Sequence, residues 1–223
     1  MLIKKDFTFK SPSGFIVVDG VNGAGKGTLI NRLSQYLLSL DLNPLSTREP
    51  GGSELGEKLR PLILGENCAG SFTELFLFAA DRAEHVAAKI KPALAAKQFV
   101  ISDRYYYSTV AFQGYGRKLS LQQVNYVNAL AVADCYPDLF ILLDLDPEIG
   151  LARAKSRASK EQDKMEAEEL DFHTSLRQGF IELAQTCQEP CLLVDALQSP
   201  EAVWEDIKPV IDNLIASWKM TRN

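Results

Sequence analysis

The sequence is poor in the residues that build metal centres. Among its 223 residues it has two histidines and four cysteines, and no two cysteines have the CxxC spacing of a structural zinc site. The two histidines, His85 and His173, lie far apart along the chain. We therefore expect no zinc site, and we expect the cysteines to be the reduced thiols of a cytoplasmic protein.

Long apolar runs and excess positive charge are also missing. No stretch approaches the roughly 18 apolar residues of a membrane span, and residues 1–14 lack the apolar core of a signal peptide. Acidic residues outnumber basic ones, 29 to 24, for a formal net charge of -5. Because binding to nucleic acids or membrane surfaces needs a positive field, we expect neither partner. Any phosphate chemistry must depend on a few placed cations.

Five short apolar runs rich in β-branched and aromatic residues predict buried strands, at residues 15–19, 45–48, 99–103, 139–144 and 191–195. Segments with helical spacing of apolar residues separate them. The alternation predicts an α/β fold, in which helices flank a five-stranded parallel sheet and ligands bind at the carboxyl ends of the strands.

One stretch breaks this pattern. Residues 153–169 are densely charged and nearly free of large apolar side chains. Such a run is a solvated helix face or a mobile loop, or, from its place after the fourth strand, a short charged lid over an active site. The sequence contains no repeat and no linker, so we interpret residues 1–223 as a single domain.

A glycine-rich loop follows the first predicted strand and precedes a helix. Gly20, Gly25 and Lys26 have the spacing of a phosphate-binding P-loop, in which backbone N–H groups surround the phosphates and the lysine reaches the β- and γ-phosphates. Gly27 stands where a metal-binding hydroxyl is usual, and Thr28 supplies one a residue later; this GKGT form resembles the loop of adenylate kinases. The predicted ATP-binding residues are Gly20, Val21, Asn22, Gly23, Ala24, Gly25, Lys26, Gly27 and Thr28.

Five further motifs follow: REPGG at 48–52, LFAADR at 77–82, DRY at 103–105, Ser108 with AFQG at 111–114, and PDL at 137–139. With them the chain, from about residue 15 to about residue 210, closely resembles the thymidylate kinase family. The resemblance implies the P-loop nucleoside monophosphate kinase fold and transfer of the γ-phosphoryl group of ATP, with Mg²⁺, to dTMP. It also implies a homodimer.

Residue by residue, the resemblance places Arg48 close to the transferring phosphates and Arg104 at the acceptor phosphate, which a guanidinium can grip through two hydrogen bonds. Phe78 and Arg82, one helical turn apart, would stack on thymine and donate to its O4. From the sequence alone Phe78 would instead join a core with Phe72, Leu75 and Phe76. The predicted dTMP-binding residues are Asp19, Arg48, Phe78, Arg82, Arg104, Ser108, Phe112 and Gln113.

The chain departs from the family pattern in three places. Phe112 replaces the usual tyrosine beside the deoxyribose, Asn22 replaces an acidic residue, and Lys164 replaces arginine in the lid motif DKME. Resemblance therefore leaves the catalytic lid residue open between Arg157, Arg153 and Lys164, of which we favour Arg157. The predicted catalytic residues are Lys26, Arg48, Glu49 and Arg157.

Two other functions remain open from the sequence. One is a kinase of the same fold with a different nucleotide or nucleoside acceptor. The other is a regulatory protein derived from a kinase that lost catalysis with Asn22, Gly27 and Lys164. The joint retention of Lys26 and of three arginines argues against that loss.

Overall fold

A five-stranded parallel sheet forms the centre of the fold. The structure, a computed structural model, describes residues 7, 9, 12–65, 70–156 and 164–221. The strands follow the order β2-β3-β1-β4-β5, which confirms the α/β prediction. They are β1 (Phe15–Gly20), β2 (Leu45–Arg48), β3 (Val100–Asp103), β4 (Leu139–Asp144) and β5 (Cys191–Asp195).

Helices connect and flank the strands. They are α1 (Lys26–Ser39), α2 (Glu54–Leu64), α3 (Ser71–His85), α4 (Lys91–Ala95), α5 (Tyr106–Thr109), α6 (Leu121–Val132), α7 (Pro147–Lys155), α8 (Leu170–Thr186) and α9 (Pro200–Met220). No helix in the described ranges is long and apolar enough to cross a membrane.

The central position of β1 determines where a ligand can bind. All residues of this apolar strand are buried, as a strand paired on both sides requires. It pairs with β3 on one side, starting at Phe15 with Val100, and with β4 on the other, starting at Ile16 with Leu139. The chain thus winds first to one side of β1 and then to the other, and such a change of direction opens a crevice at the carboxyl ends of the strands.

Helix α3 buries an unusually polar face. Glu74, Leu75, Asp81, Arg82 and His85 are its buried residues. Phe72 and Phe76, expected in the core, are instead 45% and 57% exposed. That prediction is wrong because charged groups occupy the inward face of the helix and turn the aromatic residues outwards.

Two segments have the wider π-helical winding. One, Val86–Ile90, continues α3, and the other, Val110–Gly116, continues α5. The second segment carries both Phe112 and Gln113. Such π-helical turns are frequent at functional sites because they change which side chains share a helix face.

Candidate active site

A cavity of about 890 Å³ opens where β1, β2 and β3 end. The loop after β1 forms one wall, and residues from α3 and the second π-helical segment form the opposite one. The cavity brings together these residues predicted from the sequence: Asn22, Gly23, Lys26, Arg48, Glu49, Phe78, Arg104, Ser108, Phe112 and Gln113.

Helix α7 packs closely against the phosphate loop. Gly23 has φ +77°, and a Cβ at this position would lie 2.1 Å from the carbonyl oxygen of Gly150 on α7. Only glycine fits here. Lys26 begins α1, and its Nζ donates to the carbonyl oxygens of Gly20 and Val21 at 3.1 and 3.0 Å. The helix N-terminus and the lysine therefore face the same loop, as anion binding requires.

A smaller cavity of about 240 Å³ adjoins the loop on its other side. Gly23 lines both cavities, whereas Ala24, Gly25 and Thr28 line only the smaller one. Gly27 is exposed and lines neither.

Arg153, one of the three candidates for the catalytic lid residue, also lines the smaller cavity. Its Nη1 donates to the carbonyl oxygen of Ala196 at 3.1 Å. This contact was missed from the sequence because it joins α7 to the residue directly after β5, 43 positions further along the chain.

Arg104 connects the phosphate loop to the acceptor side. Its Nη1 donates to Asp19 Oδ1 and Ser108 Oγ, both at 2.9 Å, and its Nη2 donates to Asn22 Oδ1 at 2.7 Å. Asp19 is fully buried; burial raises its pKa above the ordinary value, although the charges of Arg104 and Lys26 act in the opposite direction. Asp19 therefore lies behind the cavity lining and fixes the position of the Arg104 guanidinium through this hydrogen bond.

Two aromatic rings and one amide line the far wall. Phe112 is buried with its ring 5.2 Å from the Arg104 guanidinium carbon, and Phe78 is half-buried at the cavity surface. Gln113 donates through Nε2 to Glu74 Oε1 at 2.8 Å. Its Oε1 is buried and has no hydrogen-bond partner within the described ranges.

Arg82 lies behind this wall and is 1% exposed. Its Nε donates to Glu49 Oε2 at 2.8 Å, and its Nη1 donates to Thr109 Oγ1 and Asn128 Oδ1 at 2.9 and 2.8 Å. Arg82 and Glu49 therefore form a buried ion pair and not a surface one.

More buried charge supports the turn after β2. His85 Nδ1 donates to Glu49 Oε1 at 2.9 Å, and Asp81 Oδ1 accepts from the backbone N–H of Gly51 at 2.9 Å. Burial and the nearby Glu49 raise the pKa of Asp81 from 3.8 to about 6. Sequence reasoning missed this group, although the four-residue spacing of Asp81 and His85 on one helix face was a usable signal.

Two groups are placed to meet phosphates or cations. Arg48 is exposed in the large cavity and makes no ion pair with any residue the structure describes. Asp103 also lines this cavity, and its Oδ1 is buried without a hydrogen-bond partner in the described part of the chain. Arg157 lies outside the described residues, and Lys164 donates to Glu74 Oε2 at 3.1 Å.

Known proteins resemble the chain over most of its length. Residues 18–207 match the family model of thymidylate kinase. The thymidylate kinases of Solidesulfovibrio magneticus and Carboxydothermus hydrogenoformans are 45% and 42% identical to it, each over 90% of this chain and over 100% and 97% of their own lengths. The crystal structure of thymidylate kinase from Ehrlichia chaffeensis superimposes with a TM-score of 0.73 at 30% identity, covering 90% of this chain and 99% of that one. The chain belongs to the thymidylate kinase family.

Proposed function

We propose that this chain is a dTMP kinase, which transfers the γ-phosphoryl group of ATP to dTMP and releases dTDP and ADP. The observation that carries the proposal is the composition of the large cavity. Its lining combines a phosphate loop and its lysine with two aromatic rings, an amide and two arginines. A phosphate donor and a phosphorylated base can therefore meet in one cavity, and phosphoryl transfer requires chiefly such alignment.

The donor would lie across the phosphate loop. Its phosphates would face Lys26 and the N-terminus of α1 in the large cavity. The smaller cavity, lined in part by Leu29, Val203 and Arg153, would hold the adenosine part. Because Gly23 lines both spaces, one ATP molecule can extend from one into the other.

The acceptor would lie against the far wall. We infer that Arg104 and Arg48 bind the phosphate of dTMP, that Phe78 stacks on the base and that Phe112 lies against the sugar. Gln113 offers an acceptor oxygen that has no hydrogen-bond partner among the residues described, and this oxygen matches the N3–H of thymine.

Arg82 stays a predicted partner of thymine O4. Its Nε and Nη1 are used by Glu49, Thr109 and Asn128, so Nη2 would be the donor to the base.

The residues present fit a magnesium ion that is held mainly by ATP and water. Within the described residues, no cluster of three or more His, Cys, Asp or Glu side chains could hold a metal on its own. Asn22 Oδ1 already accepts from Arg104, whereas Asp103, which lines the cavity, has an Oδ1 without a hydrogen-bond partner in the described ranges. Bound there, Mg²⁺ would neutralise charge on the β- and γ-phosphates.

We further infer that the charged segment at about 153–169 acts as a lid on a single kinase domain. Ala154, Lys155, Met165 and Glu166, which come from its described ends, line the large cavity. A cover at this place would exclude water from the transferred group. Arg157 stays our prediction for the lid residue that contacts this group.

We also propose a homodimer in the cytoplasm. Helices α3 and α6 pack side by side, and both expose apolar side chains: Phe72 and Phe76 on α3, and Tyr126 and Leu130 on α6 are each at least 45% exposed. A second copy that covers these helices would bury this apolar surface.

The first prediction tests the reaction itself. In a coupled assay of ADP release across nucleoside monophosphates, dTMP should be the best acceptor, dUMP weaker because it lacks the C5 methyl group, and AMP and CMP very poor. Equal turnover of AMP or CMP would assign the chain to another kinase of this fold. Binding of dTMP and ATP without ADP release would favour the regulatory protein.

A further inference from the structure

A second buried charge cluster lies beside the candidate active site. Its centre is Glu74 on α3, which is 1% exposed. Glu74 Oε1 accepts from Gln113 Nε2 at 2.8 Å and from Arg117 Nε at 3.1 Å. Glu74 Oε2 accepts from Arg117 Nη2 at 3.2 Å and from Lys164 Nζ at 3.1 Å. We call these four residues the Glu74 cluster.

The cluster fastens the chain around Met165 to the body of the protein. Arg117 Nη1 lies 2.5 Å from Glu168 Oε1, and the backbone N–H of Lys164 donates to the carbonyl oxygen of Leu64 at 3.1 Å. Met165, between these two attachments, is 3% exposed and lines the large cavity. The end of the predicted lid is thus tied both to α2 and, through Glu74, to α3.

Glu74 also determines which end of the Gln113 amide faces the cavity. Burial alone would raise the pKa of Glu74, but hydrogen bonds from Arg117, Gln113 and Lys164 lower it below its ordinary value. An ionised carboxylate can only accept, so the NH₂ group of Gln113 must face it. The amide oxygen, which is buried and has no hydrogen-bond partner among the described residues, is then left to accept a hydrogen bond. It would attract the N3–H of thymine and repel the N3 lone pair of cytosine.

We propose that Lys164 and Arg117 are positioning residues for the acceptor base: they hold Glu74 in place, and Glu74 in turn orients Gln113. This inference rests on the proposed function. It gives Lys164 a role in dTMP affinity and in discrimination against dCMP, and not a role at the transferred phosphoryl group.

The second prediction follows from this assignment. Lys164→Met should raise the KM and the Kd for dTMP by about three- to tenfold, because one charged hydrogen bond to the cluster is lost. The preference for dTMP over dCMP should fall, while kcat at saturating substrates and KM for ATP stay within about twofold. Lys208→Met is the matched control, since it breaks an exposed lysine–aspartate pair on α9 and should change none of these values.

A double-mutant cycle decides whether Lys164 acts through Gln113. In a Gln113→Leu background, Lys164→Met should have little further effect on the Kd for dTMP, since the residue that it orients is gone. Arg117→Lys should retain more affinity than Arg117→Met. Fully additive effects, or a kcat lowered more than tenfold in Lys164→Met with KM unchanged, would overturn the inference.

Two measurements distinguish a failure of one proposal from a failure of the other. Calorimetry without ATP measures the binding of dTMP and dCMP, and the coupled assay measures phosphorylation. A wild-type protein that neither binds nor phosphorylates dTMP overturns the proposed function. A wild-type protein that does both, while the cycle is additive, overturns only the role of the Glu74 cluster.

Discussion

Asp81 is a residue whose charged form is disfavoured both by burial and by a neighbouring negative charge. Its carboxylate is fully buried near Glu49, and Oδ2 has no hydrogen-bond partner within the described part of the chain. Its pKa is raised from 3.8 to about 6, so the folded protein binds the proton more tightly than the unfolded chain does. Its contribution to stability therefore falls as pH rises from about 4 to about 6 and is least favourable at neutral pH.

The third prediction is that Asp81→Asn stabilises the protein by about 1 to 3 kcal/mol at pH 7.5 and by clearly less at pH 5. Asparagine keeps an acceptor for the Gly51 N–H and removes the unfavourable charge. Denaturant unfolding at both pH values measures the difference. The same change at the exposed Asp134 serves as the control and should show equal effects at both pH values. A larger gain at pH 5 than at pH 7.5 would contradict the sign of the pKa shift.

Arg82 forms a buried ion pair with Glu49, so a substitution at Arg82 affects the stability of the protein as well as any contact with the base. It neutralises Glu49, so its removal would leave a buried carboxylate whose remaining ion-pair partner among the described residues is His85. Breaking a buried pair of this kind costs about 3 to 5 kcal/mol. Kinetic measurements on an Arg82 variant therefore need a parallel measurement of stability before any change is attributed to thymine O4.

At the level of elements, the backbones of α7 and of the phosphate loop lie so close together that neither can carry a Cβ at the point of contact. A Cβ at Gly150 would lie 2.4 Å from the carbonyl oxygen of Asn22, and neither backbone can yield without moving the loop. Both glycines of this contact, Gly23 and Gly150, are needed for the close approach.

The fourth prediction is that Gly150→Ala raises KM for ATP at least about fivefold, more than it raises KM for dTMP, because the added methyl group displaces the loop that binds the phosphates. Steady-state kinetics with each substrate varied in turn gives both values. Gly70→Ala, at which the new Cβ would meet only the flexible Thr73 side chain, is the matched control and should leave KM for ATP unchanged. An unchanged KM for ATP in Gly150→Ala would mean that the loop tolerates the shift.

The second π-helical segment, Val110–Gly116, contributes two consecutive side chains to the lining of the large cavity. It places Phe112 against Arg104 and Gln113 against Glu74. Wider π-helical turns change which side chains share a helix face.

At the level of the whole molecule, the exposed apolar side chains of α3 and α6 lead to the fifth prediction. Leu130→Glu should convert the proposed homodimer into a monomer, since a charge buried without a partner at an interface is strongly unfavourable. Sedimentation at micromolar concentration measures the state. Leu38→Glu, which changes a leucine on α1 that is 53% exposed against 65% for Leu130, is the control and should stay dimeric. A Leu130→Glu protein with the mass of a dimer would place the interface elsewhere.

The sequence by itself determined the fold and the family. All five strands were predicted within a residue or two, because buried parallel strands must be short apolar runs. The phosphate loop was readable because anion binding needs glycines and a lysine at fixed local spacing. Leu29, Leu33 and Leu37 of α1 are buried as their helical spacing indicates.

Only the tertiary structure decided which charges are buried and what they touch. The partners of Glu74 come from residues 39 to 90 positions away along the chain, and those of Arg82 from 27 to 46 positions away. No local sequence pattern predicts hydrogen bonds between residues this far apart along the chain. The exposure of Phe72 and Phe76 was likewise not predictable, because hydrophobicity alone cannot tell a core face from an exposed face. Local spacing determines an element, whereas the free energy of a buried charge depends on whichever groups the fold brings within hydrogen-bonding distance.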